Sequence, residues 1–317
     1  MKFVDKTLIG LAIAFVGLMV ANLFMADWVH NIAIPVVSRG TVALGLLVLW
    51  RTGLISFGHA LYFGWGAYTA ALVSRAGITD AFVLTGLSVL SAGLLAFGLG
   101  FLLRRYRGIF FALLNLAFSM ILYGVLVKTE VLGSTDGFGV TTPTYLGFKP
   151  ETALKEVYLF GYTLCLTFMI VVAVHLYLRS TLGHMTMAIR ENEIRVEYLG
   201  YSAEKAIHIK YVISGLLAGL GGATMALAVG QVDPDSMANW PVSGEFVFIT
   251  ILSGTGNVAA TYVGSLVFEL IRVYAFEYAP HIWQMILGAT LLGFILFLPD
   301  GLWSLRDRLR RANGKPS

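Results

Sequence analysis

Long apolar runs separated by short polar stretches dominate this chain. About 20 mainly apolar residues in a helix cross the hydrocarbon core of a bilayer, and runs close to that length recur here. We place them at 8–25, 32–50, 57–73, 81–103, 109–127, 157–178, 211–229, 258–276 and 282–298. A shorter run at 245–252 is too brief to span as a regular helix. The pattern predicts an all-α polytopic membrane protein with nine or ten transmembrane helices, some of them short or broken.

The first apolar run resembles a secretion signal only in part. Lys2 and Lys6 precede it, as in the basic region of a signal peptide. However, Phe24-Met25-Ala26 offers no small residue at the −3 position of a cleavage site. We therefore expect an uncleaved first transmembrane helix.

Composition supports the membrane class. Apolar residues make up 57% of the chain, charged residues 13%, and the mean hydropathy is +0.79, whereas soluble domains carry roughly 25% charged residues. The net charge is +4, and the basic residues are dispersed near helix ends rather than gathered on one helical face. This distribution predicts no nucleic-acid partner.

Residues for metal or nucleophilic chemistry are sparse. The single cysteine, Cys165, lies in an apolar run and fits a packing role. The six histidines are scattered without metal-ligand spacing. A membrane enzyme would need a catalytic cluster, so we expect no catalytic residues, no metal and no enzymatic activity in this chain.

Basic residues set the expected orientation through the positive-inside rule. With a cytoplasmic N terminus, 16 of the 22 Lys and Arg residues fall on the cytoplasmic side. Only Arg75, Lys128, Lys149 and Lys155 fall outside. This partition requires segment 242–256 to cross the membrane, which gives ten crossings and two cytoplasmic termini. We predict a broken helix there, with Gly254 and Gly256 at its cytoplasmic end and Glu245 near its outer end.

The loops of this topology differ in character. A charged cytoplasmic loop covers about 179–210, and within it 185–200 could form one amphipathic helix that docks a soluble partner; an ordinary charged loop is the alternative. An outer loop of turns covers about 129–156, and a basic cytoplasmic tail covers about 299–317. The whole chain, 1–317, is expected to form a single transmembrane domain.

Two glycine-interrupted segments occur at membrane depth. The first combines small and polar residues, namely Thr52, Gly53, Ser56, Gly58, His59, Gly64, Gly66 and Tyr68; the second contains Gly254 and Gly256. Such paired segments in the two halves of a chain indicate an internal repeat that lines a transport path. Close helix packing through small residues is the alternative interpretation.

Few charges lie inside the predicted spans. Glu269 and Arg272 share one helix face, Arg39 could pair with an acid, and Glu245 has no local partner. No proton relay is evident, so coupling to an ion gradient is not indicated. An external energy source at the cytoplasmic loop is favoured over an ion-coupled secondary transporter, which remains the alternative.

Six segments resemble the LivM-type permease subunits of ABC importers for branched-chain amino acids. They are TGLISFGHALYFGWGAYTA at 52–70, RGIFFALLNLAF at 107–118, GSTDG at 133–137, AIRENEIR with YLG within 188–200, ILSGTG at 251–256, and FLPDGL at 297–302. The segments occur in order over about 250 residues. Each is weak alone, but together they make the resemblance specific.

The resemblance implies an importer of the cell (inner) membrane, with a second homologous permease, two ATP-binding subunits at the cytoplasmic face and a periplasmic or extracellular binding protein. ATP and magnesium would bind to the partners, and this chain would bind no cofactor.

Segment 188–200 would be the coupling helix, with Arg190, Glu191, Asn192, Glu193, Arg195, Glu197 and Gly200 as candidate residues. Only Glu197 and Gly200 match the general importer motif. Branched-chain or other small hydrophobic amino acids are the implied substrates; urea, amides and aromatic acids remain alternatives.

Overall fold

The computed structural model describes residues 5–298 and 301–304. Within them the helices are α1 (Lys6–Asn22), α2 (Asp27–Trp50), α3 (His59–Arg75), α4 (Ala81–Leu103), α5 (Gly108–Lys128), α6 (Lys155–Arg179), α7 (Thr181–Glu191), α8 (Glu193–Tyr198), α9 (Ala203–Val229), α10 (Pro234–Met237), α11 (Trp240–Ser253), α12 (Ala260–Tyr278) and α13 (Trp283–Phe297). Two short strands, β1 (Phe138–Gly139) and β2 (Gln231–Val232), pair antiparallel. Most of the predicted basic tail, 305–317, lies outside the described residues, as do 1–4 and 299–300.

The predicted all-α membrane fold is confirmed. Five segments of the described chain are long and apolar enough to span a membrane by length and composition: α2, α4, α5, α6 together with the 3₁₀ turn Thr152–Leu154 before it, and α9. The helices α1, α3, α11, α12 and α13 are shorter or more charged, yet each matches a predicted apolar segment. The main boundary difference is α9, which begins at Ala203 rather than at 211 because Ser202 caps it and its polar first turns continue the helix.

The connecting segments gather at two ends of the helix bundle. We call one of them the basic end. There, Arg51 donates a hydrogen bond to the carbonyl oxygen of Thr255 at 3.4 Å, and Arg107 forms an ion pair with Glu193. At the opposite end, β1 pairs with β2, and the amide of Asn22 donates to the carbonyl oxygen of Val157 at 3.0 Å. Successive long helices therefore run between the same two ends.

The N terminus of α1 is fastened at the basic end. The Asp5 carboxylate caps α1, accepts a hydrogen bond from Nε2 of His175 at 2.8 Å, and pairs with Arg179. The hydrogen bond from His175 is the largest influence that lowers the pKa of Asp5 to about 2. Asp5 is therefore ionised at neutral pH, and its contribution to α1 docking is lost only as the pH falls from about 4 through about 2.

Helix α9 is the centre of the bundle and packs most extensively against α2, α3 and α4. Small residues permit this contact. A Cβ atom on Gly66 of α3 would overlap the backbone of Gly219, and one on Gly222 would overlap the carbonyl group of Phe63. Without a strong hydrophobic drive between helices in lipid, such close backbone approach supplies the packing energy.

The predicted break in the short crossing is wrong. Most of segment 242–256 belongs to the continuous helix α11, which ends where Gly254 adopts a φ of +77°. Its apolar residues continue the helix, and Gly244 lies inside it without a break. Its 14 residues rise about 21 Å, less than the ~30 Å hydrocarbon core. Gly254 lies at the basic end of α11, and Glu245 lies farther from that end, beside Arg39 of α2. Which of the two ends is cytoplasmic stays a prediction.

The predicted outer loop is mostly turns, as expected, but it also contributes a strand. Phe138 and Gly139 pair with Val232 and Gln231, which follow α9. A main-chain bridge joins Asp80 to Thr144. The loop therefore connects the ends of α3, α5 and α9 rather than extending away from the bundle.

Topology provides the first test. We predict both termini on the cytoplasmic side and Asp136 on the outside. Single cysteines at Asp136 and Asn313, in a Cys165→Ala background, would be treated with an impermeant thiol reagent in intact cells. We expect labelling at position 136 alone, with labelling at 313 after the membrane is opened. Labelling of position 313 in intact cells would invert the orientation.

Candidate functional site

The charged segment at the basic end folds as two helices rather than the single helix predicted for 185–200. The chain is extended at Asn192, with φ −160° and ψ 100°, between α7 and α8. The Asn192 side chain accepts a hydrogen bond from the backbone N–H of Arg195 at 3.0 Å and so caps α8. Ser180 and Ser202 cap α7 and α9 in the same way. A side chain that caps a new helix competes with helix continuation, and this breaks the segment.

Ion pairs and packing contacts hold the other side of α7 and α8 against the bundle. Arg107, which precedes α5, donates two hydrogen bonds to the Glu193 carboxylate, at 2.9 and 2.5 Å. Arg104 at the end of α4 lies 3.3 Å from Glu204 at the start of α9. The side chain of Arg190 packs against Gly53, whose φ is +78°. Of the predicted coupling residues, Arg190, Asn192 and Glu193 therefore contact the bundle or shape the break.

The side of α7 and α8 that faces away from the bundle exposes apolar side chains, although this end of the molecule is otherwise polar. The exposed fractions are 87% for Tyr198, 72% for Leu199 and 63% for Ile194. The candidate coupling residues Glu191, Arg195, Glu197 and Gly200 are also exposed. Large apolar side chains among exposed charges, outside the long apolar helices, are typical of a protein-binding surface. We name Ile194, Tyr198 and Leu199 the apolar patch.

A cleft separates the helix pair from the bundle. It has a volume of about 310 Å³ and is lined by Thr52, Gly53 and Leu54 on one side, Arg107 and Gly108 on another, and 189–193 on the third. The sequence pattern predicts Thr52 and Gly53 for the transport path or for close helix packing. The structure places them beside the predicted coupling residues, because the turn after α2 lies at the basic end. Their part in a transport path stays a prediction.

A hydrogen-bonded polar core fills the space between α3, α5 and α9. His59 is fully buried, with Nδ1 3.0 Å from the hydroxyl of Ser56 and Nε2 2.6 Å from the hydroxyl of Ser214. The Tyr62 hydroxyl donates to that of Tyr211 at 2.8 Å, which in turn donates to Asn115 at 2.5 Å. Each hydroxyl is satisfied by a neighbour, as burial demands.

The predicted glycines of α3 lie at close contacts. A Cβ atom on Gly58 would overlap the carbonyl oxygen of Asn115, and one on Gly64 would lie 2.9 Å from Cβ of Ala238. Tyr68, further along α3, is buried and stacks edge-on against Phe138 of the opposite-end loop. These contacts fit the alternative interpretation, which is close helix packing. A transport path through this segment remains a prediction.

The second glycine segment meets the first at the basic end. Gly254 ends α11 and packs against Gly301, whereas Gly256 is exposed. The hydrogen bond from Arg51 to Thr255 joins the turn after α2 to the turn after α11. The predicted internal repeat between the two segments remains a prediction.

A buried charge network joins α2, α11 and α12. Arg39 donates to Glu269 at 2.5 Å and lies 3.5 Å from Glu245; Arg272 lies 3.8 Å from Glu269. Two positive and two negative charges balance, which is how charges persist among apolar helices. The sequence pattern indicated the local pair Glu269 and Arg272 and an acidic partner for Arg39. It could not identify that acid, because Arg39 and Glu269 are 230 positions apart.

Lys210 is a second group that the sequence pattern misplaced. It was assigned to the end of the charged loop, but it lies within α9 and is fully buried. Its Nζ atom makes no hydrogen bond within the described chain, and the charge of Arg51 is nearby. Among the described residues, no three His, Cys, Asp or Glu side chains gather as metal ligands.

The α3 contacts generate a substitution test. Gly58→Leu and Gly64→Leu add a side chain where neighbouring groups leave no room, and over-packing costs about 1–3 kcal/mol. We expect both to lower the melting temperature of the purified protein and to abolish the amino acid uptake that the resemblance implies. Gly86→Leu and Gly98→Leu in α4, where a Cβ atom meets nothing within 4 Å, are the matched controls. Equal stability and uptake in all four variants would remove any role for close packing at α3.

Comparison with known proteins finds one matching family and two relatives whose names give the same function class. Residues 28–295 match the family model described as branched-chain amino acid transport system / permease component. The high-affinity branched-chain amino acid transport system permease protein LivM of Escherichia coli K12 is 28% identical over 321 residues, covering 88% of this chain and 73% of the relative. The LivM protein of Salmonella typhimurium LT2 is 28% identical over 335 residues, covering 92% and 77%. No solved structure matches the chain significantly.

The matched region runs from the start of α2 to the last turn of α13. It therefore includes the polar core, the charge network and the α7–α8 pair. A match over most of the chain, together with a helical membrane fold, leads to one conclusion. The chain belongs to the family of branched-chain amino acid transport system permease components.

Proposed function

We propose that this chain is one of two membrane-spanning subunits of an ATP-driven importer for branched-chain or other small hydrophobic amino acids. The observation that carries the proposal is the apolar patch on α8, held out from the bundle at the basic end. Such a surface fits a soluble subunit that binds and hydrolyses ATP with magnesium. A binding protein would deliver substrate at the opposite end. Both termini would be cytoplasmic, and 1–317 would act as a single permease domain.

The first mechanical step is the movement of α7 and α8. Binding of ATP would bring two ATP-binding subunits together, and each would carry the apolar patch of one permease with it. A ligand shifts a conformational equilibrium only by its differential affinity for the two states. The apolar patch supplies that difference if the closed ATP-binding dimer positions it differently from the open dimer.

The second step is transmission into the bundle. Glu193 connects α8 to α5 through Arg107, and Glu204 connects the start of α9 to α4 through Arg104. Because α9 packs on α2, α3 and α4, displacement of its basic end would shift the helices around the polar core. The permease itself then needs little affinity for substrate, since the binding protein provides selection.

Docking through the apolar patch can be tested with the complete complex. Tyr198→Asp and Leu199→Asp place charge in the proposed contact without touching Glu193 or Arg107. We expect each to lose co-purification of the ATP-binding subunit and ATP-dependent leucine uptake in proteoliposomes, because burying an unpaired charge is costly. Leu146→Asp, at a residue 83% exposed at the opposite end, is the control for subunit association.

Two outcomes would contradict the proposed mechanism, and a third would contradict only the proposed substrate. Normal association of the Tyr198→Asp and Leu199→Asp variants would remove the docking surface. Uptake driven by an ion gradient without ATP would favour a secondary transporter. Uptake of urea, amides or aromatic acids, with no uptake of leucine, isoleucine or valine, would retain the mechanism and change the substrate.

A further inference from the structure

The boundary between α4 and α9 reaches the outside of the bundle. A Cβ atom on Gly93 would lie 2.4 Å from Cδ2 of Leu216, and one on Gly100 would lie 2.8 Å from Nδ1 of His208. Earlier positions of α4 therefore meet later positions of α9, and the two helices run antiparallel. Both helices are long and apolar enough to span a membrane, so the exposed face of this boundary lies at the depth of lipid acyl chains.

Large apolar side chains are exposed along this boundary. The exposed fractions are 49% for Phe97 and 46% for Phe101 of α4, and 41% for Ile209 of α9. The ring of the buried His208 has its centroid 5.1 Å from that of Phe97 and 4.4 Å from that of Phe101. These contacts hold both phenyl rings in place, so the apolar surface is formed before a ligand binds. We call Phe97, Phe101 and Ile209 the apolar part of the α4–α9 seam.

Two positive charges at the basic end of the seam have no counter-ion. Nε of Arg104 lies 3.3 Å from Oε2 of Glu204, and these two charges balance each other. The next residue in each case is basic, because Arg105 follows Arg104 at the end of α4 and Lys205 follows Glu204 in the first turn of α9. The side chains of Arg105 and Lys205 are exposed, and neither forms an ion pair within the part of the chain that the structure describes. Since their neighbours are in contact, the two free cations lie at the same level of the seam.

The charged and apolar parts of the seam adjoin each other. The central guanidinium carbon of Arg104 lies 5.0 Å from the centroid of the Phe101 ring. Exposed apolar side chains continue along α4 at Leu94 and Leu90. The helix rises about 20 Å between Leu90 and Leu103, which exceeds half of the ~30 Å hydrocarbon core. A small soluble anion would leave this apolar length uncovered, whereas an anionic phospholipid matches both its charge and its length.

We infer that the α4–α9 seam binds one anionic phospholipid at its basic end. Arg105 and Lys205 donate hydrogen bonds to the headgroup phosphate, and an acyl chain lies along Phe101, Phe97 and Ile209. Charge-assisted hydrogen bonds of this kind are stronger than neutral ones. A zwitterionic phospholipid binds less well, because its headgroup carries a positive charge toward the two cations. The site lies apart from the apolar patch on α8 and from the polar core, and it does not rest on the proposed function.

The test is equilibrium binding of tritiated dioleoylphosphatidylglycerol to the delipidated full-length chain, purified in detergent with its associated subunits. We expect the Arg105→Gln/Lys205→Gln double variant to bind this lipid at least about tenfold more weakly than the wild type. Lys6→Gln/Lys149→Gln is the matched control, because it removes the same charge from two exposed lysines away from the seam. That control and the charge-conserving variant Arg105→Lys/Lys205→Arg should bind like the wild type. Unlabelled dioleoylphosphatidylcholine should compete at least about tenfold less well than unlabelled dioleoylphosphatidylglycerol.

Four results would overturn the inference. Equal binding by the wild type and the Arg105→Gln/Lys205→Gln variant would remove both cations from the site. Equal competition by the two phospholipids would remove selection for headgroup charge. Displacement of the labelled lipid by inorganic phosphate, beyond the effect of chloride at the same ionic strength, would assign the two cations to a soluble anion. Disulfide cross-linking of a cysteine at Lys205 to an associated subunit would make the seam a protein contact.

A structural effect of the substitutions is measured separately. Arg105 and Lys205 are exposed and unpaired within the described residues, so we expect the lipid-free double variant to melt at the wild-type temperature. Added dioleoylphosphatidylglycerol should then raise the melting temperature of the wild type and of the Lys6→Gln/Lys149→Gln control more than that of the double variant. An equal rise in all three proteins would contradict the inference.

Discussion

The close backbone approach of α9 to its neighbours is the constraint on which this structure depends. Gly219 and Gly222 of α9 leave no space for a Cβ atom against α3 and α4, and Ser214 sits against Gly45 of α2. The same contacts bring His59 within 2.6 Å of Ser214 and Tyr62 within 2.8 Å of Tyr211. The close packing of α9 and the hydrogen bonds of the polar core therefore depend on the same helix positions. A larger side chain at Gly219 or Gly222 would disrupt both.

The ion pairs at the basic end of the bundle differ from those in its interior. Inside, the Arg39 and Glu269 pair joins helices that are distant in sequence and balances its own charge. At the basic end, the Arg107 and Glu193 pair is about one-third exposed and joins the bundle to a small appended helix. A partly exposed pair costs less to rearrange than a buried one, which suits a connection that must move.

Sequence periodicity predicted the helices well because apolar length is what a bilayer requires. It also located the charged segment around Arg190 and Glu197. It missed the break at Asn192, although that side chain is a standard N-cap, because the apolar positions on both sides continue in phase. It could not bring Arg39, Glu245 and Glu269 together, since only tertiary packing determines which helices meet.

The most direct test of the account is a charge swap at the pair that connects α8 to α5. Arg107→Glu and Glu193→Arg would be measured singly and together in the reconstituted complex, for ATP hydrolysis and leucine uptake. We predict that each single variant assembles and hydrolyses ATP but loses uptake at least about fivefold, and that the double variant recovers it. Wild-type uptake in both single variants, or a folded double variant without recovery, would contradict transmission through this pair.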